Sequence, residues 1–167
     1  MVTKKSFFLI IFTFIAGFNF SCKDKENKKG LDLMPYTIPS SIDAPADVTV
    51  SKLGDGNVTT VSINNRNDYD VQVFMFASQV TDMKILKKVK KDEVEADPYF
   101  IKIIEEHPAG FIFEKSLGME SKDSKPSYDF RYIEVVGSKV MIYQCGNSQY
   151  FSEKDVKNMY KSVLKNK

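Results

Sequence analysis

The sequence contains few of the residues that most often build catalytic centres. His107 is its only histidine, so a histidine-based metal site would need carboxylates or cysteine, and no such ligands occur at metal-binding spacing. The carboxylates are scattered among lysines, so no paired general acid and base stands out. A phosphate-binding glycine loop, a nucleophile elbow and a zinc-binding helix motif are also missing. The sequence therefore predicts no cofactor and no metal, and it favours a protein that is not an enzyme.

The sequence also lacks a long hydrophobic segment and an excess of charge. Residues 7–18 are almost all apolar, but a helix that crosses a bilayer needs about 20 such residues. The chain has 24 basic and 22 acidic residues. Lys4 and Lys5 stand before the apolar run, and the remaining chain therefore has 22 of each sign. This balance argues against a nucleic-acid partner.

Residues 1–21 have the organisation of a signal peptide. Lys4 and Lys5 form a positive start, the apolar run follows, and the small residue Ser21 precedes Cys22. The stretch Phe18-Asn19-Phe20-Ser21-Cys22 resembles the lipobox of bacterial lipoproteins, with Asn19 where the family usually has an aliphatic residue. The resemblance implies that the Cys22 thiol is lipidated and that Cys22 becomes the mature N-terminus. The protein would then be held at a membrane by its lipid anchor.

The two cysteines, Cys22 and Cys145, allow two interpretations that exclude each other. Lipidation of Cys22 leaves Cys145 without a disulfide partner. An even cysteine count in an oxidising compartment suggests instead a Cys22–Cys145 disulfide in a secreted soluble protein. The signal-peptide pattern favours lipidation.

Residues 22–34 are predicted to be the lipidated cysteine and a charged tether. Residues 23–30 have no apolar side chain with which to pack into a core. The tract resembles the lysine- and acid-rich signals that send some Gram-negative lipoproteins to the outer face of the outer membrane. Lys23, rather than aspartate, follows Cys22, so the inner-membrane retention signal of other lipoproteins is missing. We expect an outer-membrane lipoprotein that faces the cell exterior or, alternatively, the periplasm.

Residues 35–167 are predicted to form a single domain. Its first half contains a short strand at residues 36–38, a hairpin of residues 48–52 and 58–64, and a central strand at residues 69–77. Helical spacing of apolar residues follows from Met83, with lysines on the opposite side: Lys84, Lys87, Lys88 and Lys91. This basic stripe is interpreted as a solvated helix face, with lipid phosphates or an acidic partner as the alternative ligand.

The second half of the domain begins with an ambiguous segment. A short helix is predicted from Asp97-Pro98 to Glu106, with a strand over residues 100–104 as the alternative. A strand at residues 111–115 and a hairpin of residues 128–136 and 139–145 follow. The last helix is predicted from the capping box of Ser152 with Asp155 and from an apolar stripe: Val156, Met159, Tyr160, Val163 and Leu164. The predicted fold class is α+β, a largely antiparallel sheet with helices packed on it.

The order of these elements resembles that of PsbP/Mog1-type domains. The resemblance is carried by Gly110-Phe111-Ile112-Phe113 after a helix, the hairpin of residues 128–143 and the closing Met159-Tyr160 helix, over about residues 36–165. It implies an α/β/α sandwich and a non-catalytic binding or accessory role. It transfers no site residue, because function is a property of a site and not of a fold.

Two groups of side chains are candidates for a functional site. Cys145 and His107 could form a nucleophilic pair, although a strand-end cysteine and a solvated turn histidine are the simpler interpretation. Five aromatic residues could stack on sugar rings or anchor a protein partner: Tyr128, Phe130, Tyr132, Tyr143 and Tyr150. Alternation places the first three on one strand face, so the core beneath the last helix is the favoured interpretation. Asp129 and Arg131 share the opposite face.

These observations predict a membrane-anchored envelope lipoprotein that acts as a non-catalytic binding or accessory module. Its partner, besides the membrane, would be an envelope protein or a glycan. The alternative is an envelope hydrolase with a site near Cys145 and His107. A structural component of an outer-membrane complex is a third interpretation.

Overall fold

The computed structural model describes residues 28–54, 58–116, 126–147 and 150–164. The predicted signal peptide, Cys22 and residues 23–27 lie outside these ranges. The described chain forms, in order, β1 (Lys28–Asp32), a 3-10 helix (Met34–Tyr36), β2 (Ser41–Pro45), β3 (Thr49–Leu53), β4 (Val58–Asn64), β5 (Asp70–Ala77), α1 (Met83–Glu95), β6 (Phe100–His107), β7 (Gly110–Lys115), β8 (Ser127–Val136), β9 (Lys139–Cys145) and α2 (Glu153–Val163).

One large antiparallel sheet forms the centre of the domain. Its strand order is β3-β4-β5-β9-β8-β7-β6, and every neighbouring pair is antiparallel. The predicted α+β class with a largely antiparallel sheet is therefore confirmed. The two predicted hairpins, β3–β4 and β8–β9, are also present. The β8–β9 turn is Gly137-Ser138, and the positive φ of 61° at Gly137 is a conformation that suits glycine.

The two α-helices pack on opposite faces of this sheet. Met141 lies in one core cluster with α2, whereas its neighbours Val140 and Ile142 lie in another with residues of α1. Since successive side chains of a strand point to opposite faces, α1 and α2 cover different sides. The short β1–β2 hairpin lies on the α2 side, because Ile42 and Ala44 of β2 belong to the cluster that contains α2.

The terminal helix α2 agrees with its sequence prediction. Ser152 Oγ accepts a hydrogen bond from the Asp155 N–H, and the Asp155 carboxylate accepts one from the Ser152 N–H, which completes the capping box. The predicted stripe is buried at four positions: Val156, Met159, Tyr160 and Val163. Leu164 ends the helix and is only partly buried. Neither helix of the described residues is both long and apolar enough to cross a membrane.

The helix predicted from Asp97-Pro98 to Glu106 is wrong, and the alternative strand is right. Phe100–His107 forms β6, which pairs with β7 through a tight turn at Pro108-Ala109. The segment contains Phe100 and three isoleucines, residue types whose bulk near the backbone fits a pleated strand. Ile103 packs with Phe111 and Phe113 of β7, whereas the next residue, Ile104, lies on the α2 side, as alternation requires. The pairing with β7 contains two register shifts.

The N-terminal boundary also differs from the prediction. Lys28–Asp32, which the sequence places in the tether, pairs with β2 as a strand. The strand predicted at residues 36–38 is wrong, because a 3-10 helix ends at Tyr36 and Thr37 has a φ of 69°. Leu33 and Ile38 are fully buried, and the Tyr143 hydroxyl lies 2.6 Å from Ser40 Oγ. These contacts fix the N-terminal segment on the central sheet.

Candidate functional site

The five predicted recognition aromatics do not form one surface. Phe130 and Tyr143 are completely buried, and the Phe130 ring packs edge-on against Tyr160 of α2. Tyr128 and Tyr132 are partly buried against the same core. For Phe130 and Tyr143 the recognition interpretation is therefore wrong, because α2 covers the strand face that they occupy. Tyr150 is different, since 71% of its surface is exposed.

Cys145 and His107 are too far apart to act as a nucleophile and its base. β6 and β9, which carry them, are separated by β7 and β8. Adjacent strands lie about 4.8 Å apart, so the two backbones are about 14 Å apart, beyond the reach of a hydrogen bond. His107 instead ends β6, stacks on Tyr160 at 4.9 Å and places its Nε2 atom 3.4 Å from Glu105 Oε2. The proposed nucleophilic pair is therefore wrong.

The Cys145 thiol is held in its unreactive form. Burial raises its pKa well above the ordinary value, and the negative charge of Asp129 raises it further. Only 2% of the residue is exposed. A neutral, inaccessible thiol is a poor nucleophile, so Cys145 acts as a small core residue.

The basic stripe of α1 is largely engaged in ion pairs. Lys87 and Lys91 contact the same Glu106 carboxylate at 2.9 and 2.7 Å, and Lys88 pairs with Asp92 within the helix. The hydrogen bonds from Lys91 and Lys87 lower the pKa of Glu106 to about 2. Lys88 therefore fits the interpretation of a solvated helix face, whereas Lys87, whose side chain is only 16% exposed, lies against β6 and does not fit it.

A cavity of about 270 Å³ opens between the end of α1 and the strands β6, β7 and β8. Its volume is near the lower limit for pockets that bind small molecules, about 300 Å³. Aromatic side chains form much of its wall: Tyr99, Phe100, Phe113 and Tyr150. We call this the α1 cavity. A second cavity of about 460 Å³ shares Val94, Asp97 and Arg131 with it and continues along the sheet toward Phe74 and Ile142.

A buried carboxylate organises the polar side of the α1 cavity. Asp129 Oδ1 accepts hydrogen bonds from the N–H groups of Phe130 and Cys145, at 2.7 and 3.0 Å. Asp129 Oδ2 lies 3.1 Å from both Lys115 Nζ and Arg131 Nη1. Burial by itself raises the pKa of Asp129, but the charges of Arg131 and Lys115 outweigh it and hold that pKa below the ordinary value. The carboxylate is therefore ionised and fully engaged, and it fixes both cations.

Lys115, Asp129 and Arg131 were not predicted as a site. The sequence shows Asp129 and Arg131 two residues apart on one face of a strand, and this spacing is a signal that the two can pair if that face is covered, because buried charged residues are almost always paired. Lys115 joins them only through the antiparallel register of β7 and β8, in which Phe113 stands opposite Asp129. Tyr99 and Tyr150 come from two further segments. Within the described ranges, no group of three or more His, Cys, Asp or Glu side chains is placed to hold a metal ion.

In comparisons with known proteins, no protein-family model, no curated protein and no solved structure matches the chain. The domain is an antiparallel sheet between two helices, with an aromatic cavity at the end of α1. The charged groups of this cavity are the cations Lys115 and Arg131, the engaged carboxylate of Asp129 and the carboxylate of Asp97, a set that suits the binding of a polar ligand.

Proposed function

We propose that this protein is a lipid-anchored lipoprotein of the bacterial cell envelope whose domain is a non-catalytic binding module. The α1 cavity is its ligand site. The observation that carries the proposal is the combination, in one cavity, of solvated aromatic rings with two fixed cations, Lys115 and Arg131. Ligand sites in proteins typically combine such apolar walls with a few convergent polar groups.

The sequence supplies the anchor part of the proposal. The lipobox-like stretch ending at Cys22 supports lipidation, and the lysine-acid tract after it supports delivery to the outer membrane, on the outer or the periplasmic face. The positions of α1 and α2 on opposite sheet faces are compatible with an α/β/α sandwich of the PsbP/Mog1 type. That likeness is an analogy of architecture and assigns no ligand.

Ligand-observed NMR with small ring-containing compounds tests the cavity as a binding site. The full chain, purified in detergent micelles, should bind several such compounds in competition with one another, because pockets of this kind are the preferred sites of small molecules. A variant with both Tyr99→Ala and Tyr150→Ala should lose most of this binding. Both side chains are largely exposed, so the variant should fold normally.

Met34→Ala is the matched control for this experiment. Met34 is exposed to a similar extent but lies in the 3-10 helix on the α2 side, away from the cavity. Its substitution should leave compound binding unchanged. Binding that survives the double substitution, or the absence of binding to the unaltered protein, would contradict the proposed site.

Lipidation of Cys22 can be tested separately from ligand binding. The unaltered protein should fractionate with membranes and carry the mass of its acyl chains, whereas Cys22→Ala should accumulate as an unlipidated precursor. Each buried methylene contributes about 0.8 kcal/mol, and stable anchoring takes more than one chain. Cys145→Ala, the control, should be lipidated like the unaltered protein. Mass spectrometry of the membrane fraction shows whether Cys22 carries acyl chains. Unmodified Cys22 in the mature protein would exclude the lipid anchor.

A further inference from the structure

The α1 cavity contains more hydrogen-bond donors than the protein uses. Arg131 Nη1 donates to the Phe130 carbonyl at 2.7 Å and contacts Asp129, but a guanidinium has five N–H donors. The N–H groups on Nε and Nη2 have no hydrogen-bond partner among the described residues. Lys115 gives one of its three donors to Asp129. Because both Asp129 oxygens are engaged, a ligand in the cavity meets these cations and not the carboxylate between them.

The acceptor side of the cavity is Asp97. Its Oδ1 atom accepts the Tyr99 N–H at 2.8 Å, and the other oxygen has no hydrogen-bond partner in the described part of the chain. A carboxylate with a free oxygen favours a ligand that donates hydrogen bonds, such as one with hydroxyl groups. The cavity thus offers donors near Lys115 and Arg131 and an acceptor at Asp97.

The charge balance selects among anions. The four charged side chains of the cavity, Asp97, Lys115, Asp129 and Arg131, cancel formally. An anion in this cavity is therefore held only by local contacts with the cations, and a phosphate dianion would bring one more negative charge near Asp97 and Asp129 than a carboxylate does. A single carboxylate can instead pair with the free edge of Arg131 while the rest of the ligand lies near Asp97.

The wall of the cavity selects the shape of the remaining ligand. Tyr99 and Tyr150 are 52% and 71% exposed, so a ligand that covers their rings removes apolar surface from water. A saturated ring with an apolar C–H face and polar groups at its edge fits such a wall, because the C–H face packs on the aromatic rings. A volume of about 270 Å³ limits this ligand to a single ring of modest size.

We propose that the α1 cavity binds an acidic sugar unit of the hexuronate type, an inference that rests on the proposed function. The sugar carboxylate pairs with Lys115 and Arg131, a hydroxyl group donates to Asp97, and the ring stacks against Tyr99 and Tyr150. Arg131 and Asp97 also line the second cavity, where the glycan chain would continue.

Three ligands that differ at one position test this inference on the unaltered full chain in detergent micelles. Glucuronate should bind at least about tenfold more tightly than its neutral amide and than glucose, because only glucuronate offers a charged partner to the cations. Benzoate should bind more weakly than glucuronate, because it has no hydroxyl group for Asp97. Titration calorimetry and saturation-transfer NMR measure the affinities.

Protein variants test whether the preference for glucuronate over glucose arises in the α1 cavity. Lys115→Met should reduce the ratio between glucuronate and glucose affinity toward one. Lys139→Met, at an exposed position that begins β9, should preserve the ratio. If the amide or glucose binds as tightly as glucuronate, the carboxylate assignment is overturned. If benzoate binds as tightly as glucuronate, the assignment of the ligand as a sugar is overturned. In either case the ring-compound experiment can still succeed, so failure of the ligand class is distinguishable from failure of the binding site. The ligand comparison stands even if Lys115→Met folds poorly.

Discussion

Replacing Asp129 with alanine should lower the free energy of unfolding by about 3 to 5 kcal/mol. The substitution leaves Arg131 and Lys115 without their shared counter-charge and two backbone N–H groups without an acceptor. A domain of ordinary stability has about 5 to 15 kcal/mol in total, so the variant should be close to unfolding at room temperature. Urea denaturation followed by circular dichroism measures the change.

Asp92→Ala is the matched control for Asp129→Ala. Asp92 also pairs with a lysine, but both side chains of that pair are more than half exposed. The loss should therefore be at most about 1 kcal/mol, the usual limit for a surface ion pair. Equal effects of the two substitutions would show that the Asp129 cluster contributes no more than surface charge.

The same carboxylate predicts an acid dependence of stability. The pKa of Asp129 is lower in the folded chain than in an unfolded one, where it is about 3.9. Its contribution is therefore complete above the unfolded pKa and is lost as the pH falls through the folded pKa. Asp129→Asn keeps an oxygen acceptor but cannot ionise, so it should flatten this acid dependence. The urea midpoint measured between about pH 2 and pH 6 shows the difference.

Replacing Met159 with alanine should cost about 2 to 5 kcal/mol. Met159 is completely buried in the centre of α2, and its sulfur lies 3.3 Å from the Asp70 backbone nitrogen. The substitution leaves a cavity between α2 and the sheet that the neighbouring side chains can fill only in part. Thermal and urea denaturation measure the loss.

The controls for Met159→Ala are Leu164→Ala and Ile85→Ala. Leu164 ends α2 half-buried, so its truncation should cost less than that of Met159. Ile85 is 53% exposed on α1, and its truncation should change stability by no more than about 0.5 kcal/mol. Comparable losses at all three positions would contradict the packing described for α2.

The elements predicted correctly are those in which the local sequence and the tertiary contacts favour the same secondary structure. In α2 the capping box and the apolar stripe indicate the same helix, and the sheet face that receives it is apolar. In β6 the two signals conflict, because Asp97-Pro98 is typical of a helix start while the isoleucines favour a strand. Pairing with β7 decides in favour of the strand, and this pairing depends on residues distant in sequence.

The candidate site was less predictable than the fold for a similar reason. The alternation of β8 places Asp129 and Arg131 on one face, but it does not reveal that Lys115 stands beside them or that α1 ends above them. Tyr99 reaches the cavity from a turn, where periodicity carries no information. Tyr150, which was named as a recognition candidate, lies outside the helices and strands, so no pattern shows that it joins Tyr99 there. The sequence places Leu33 in the tether, and its burial was not predicted because the 3-10 helix and the positive φ of Thr37 interrupt any regular pattern.

If Cys22 carries the proposed lipid, the position of the β1–β2 hairpin would restrict the orientation of the domain at the membrane. Only six residues' length of chain separates Cys22 from Lys28, and it spans at most about 20 Å when fully extended. This length is short compared with the diameter of a domain of this size, about 35 to 40 Å. Because the hairpin lies on the α2 side, a lipidated Cys22 would turn that side toward the bilayer. The α1 cavity would then open away from its own membrane, toward ligands that arrive from the surrounding solution or from a neighbouring surface.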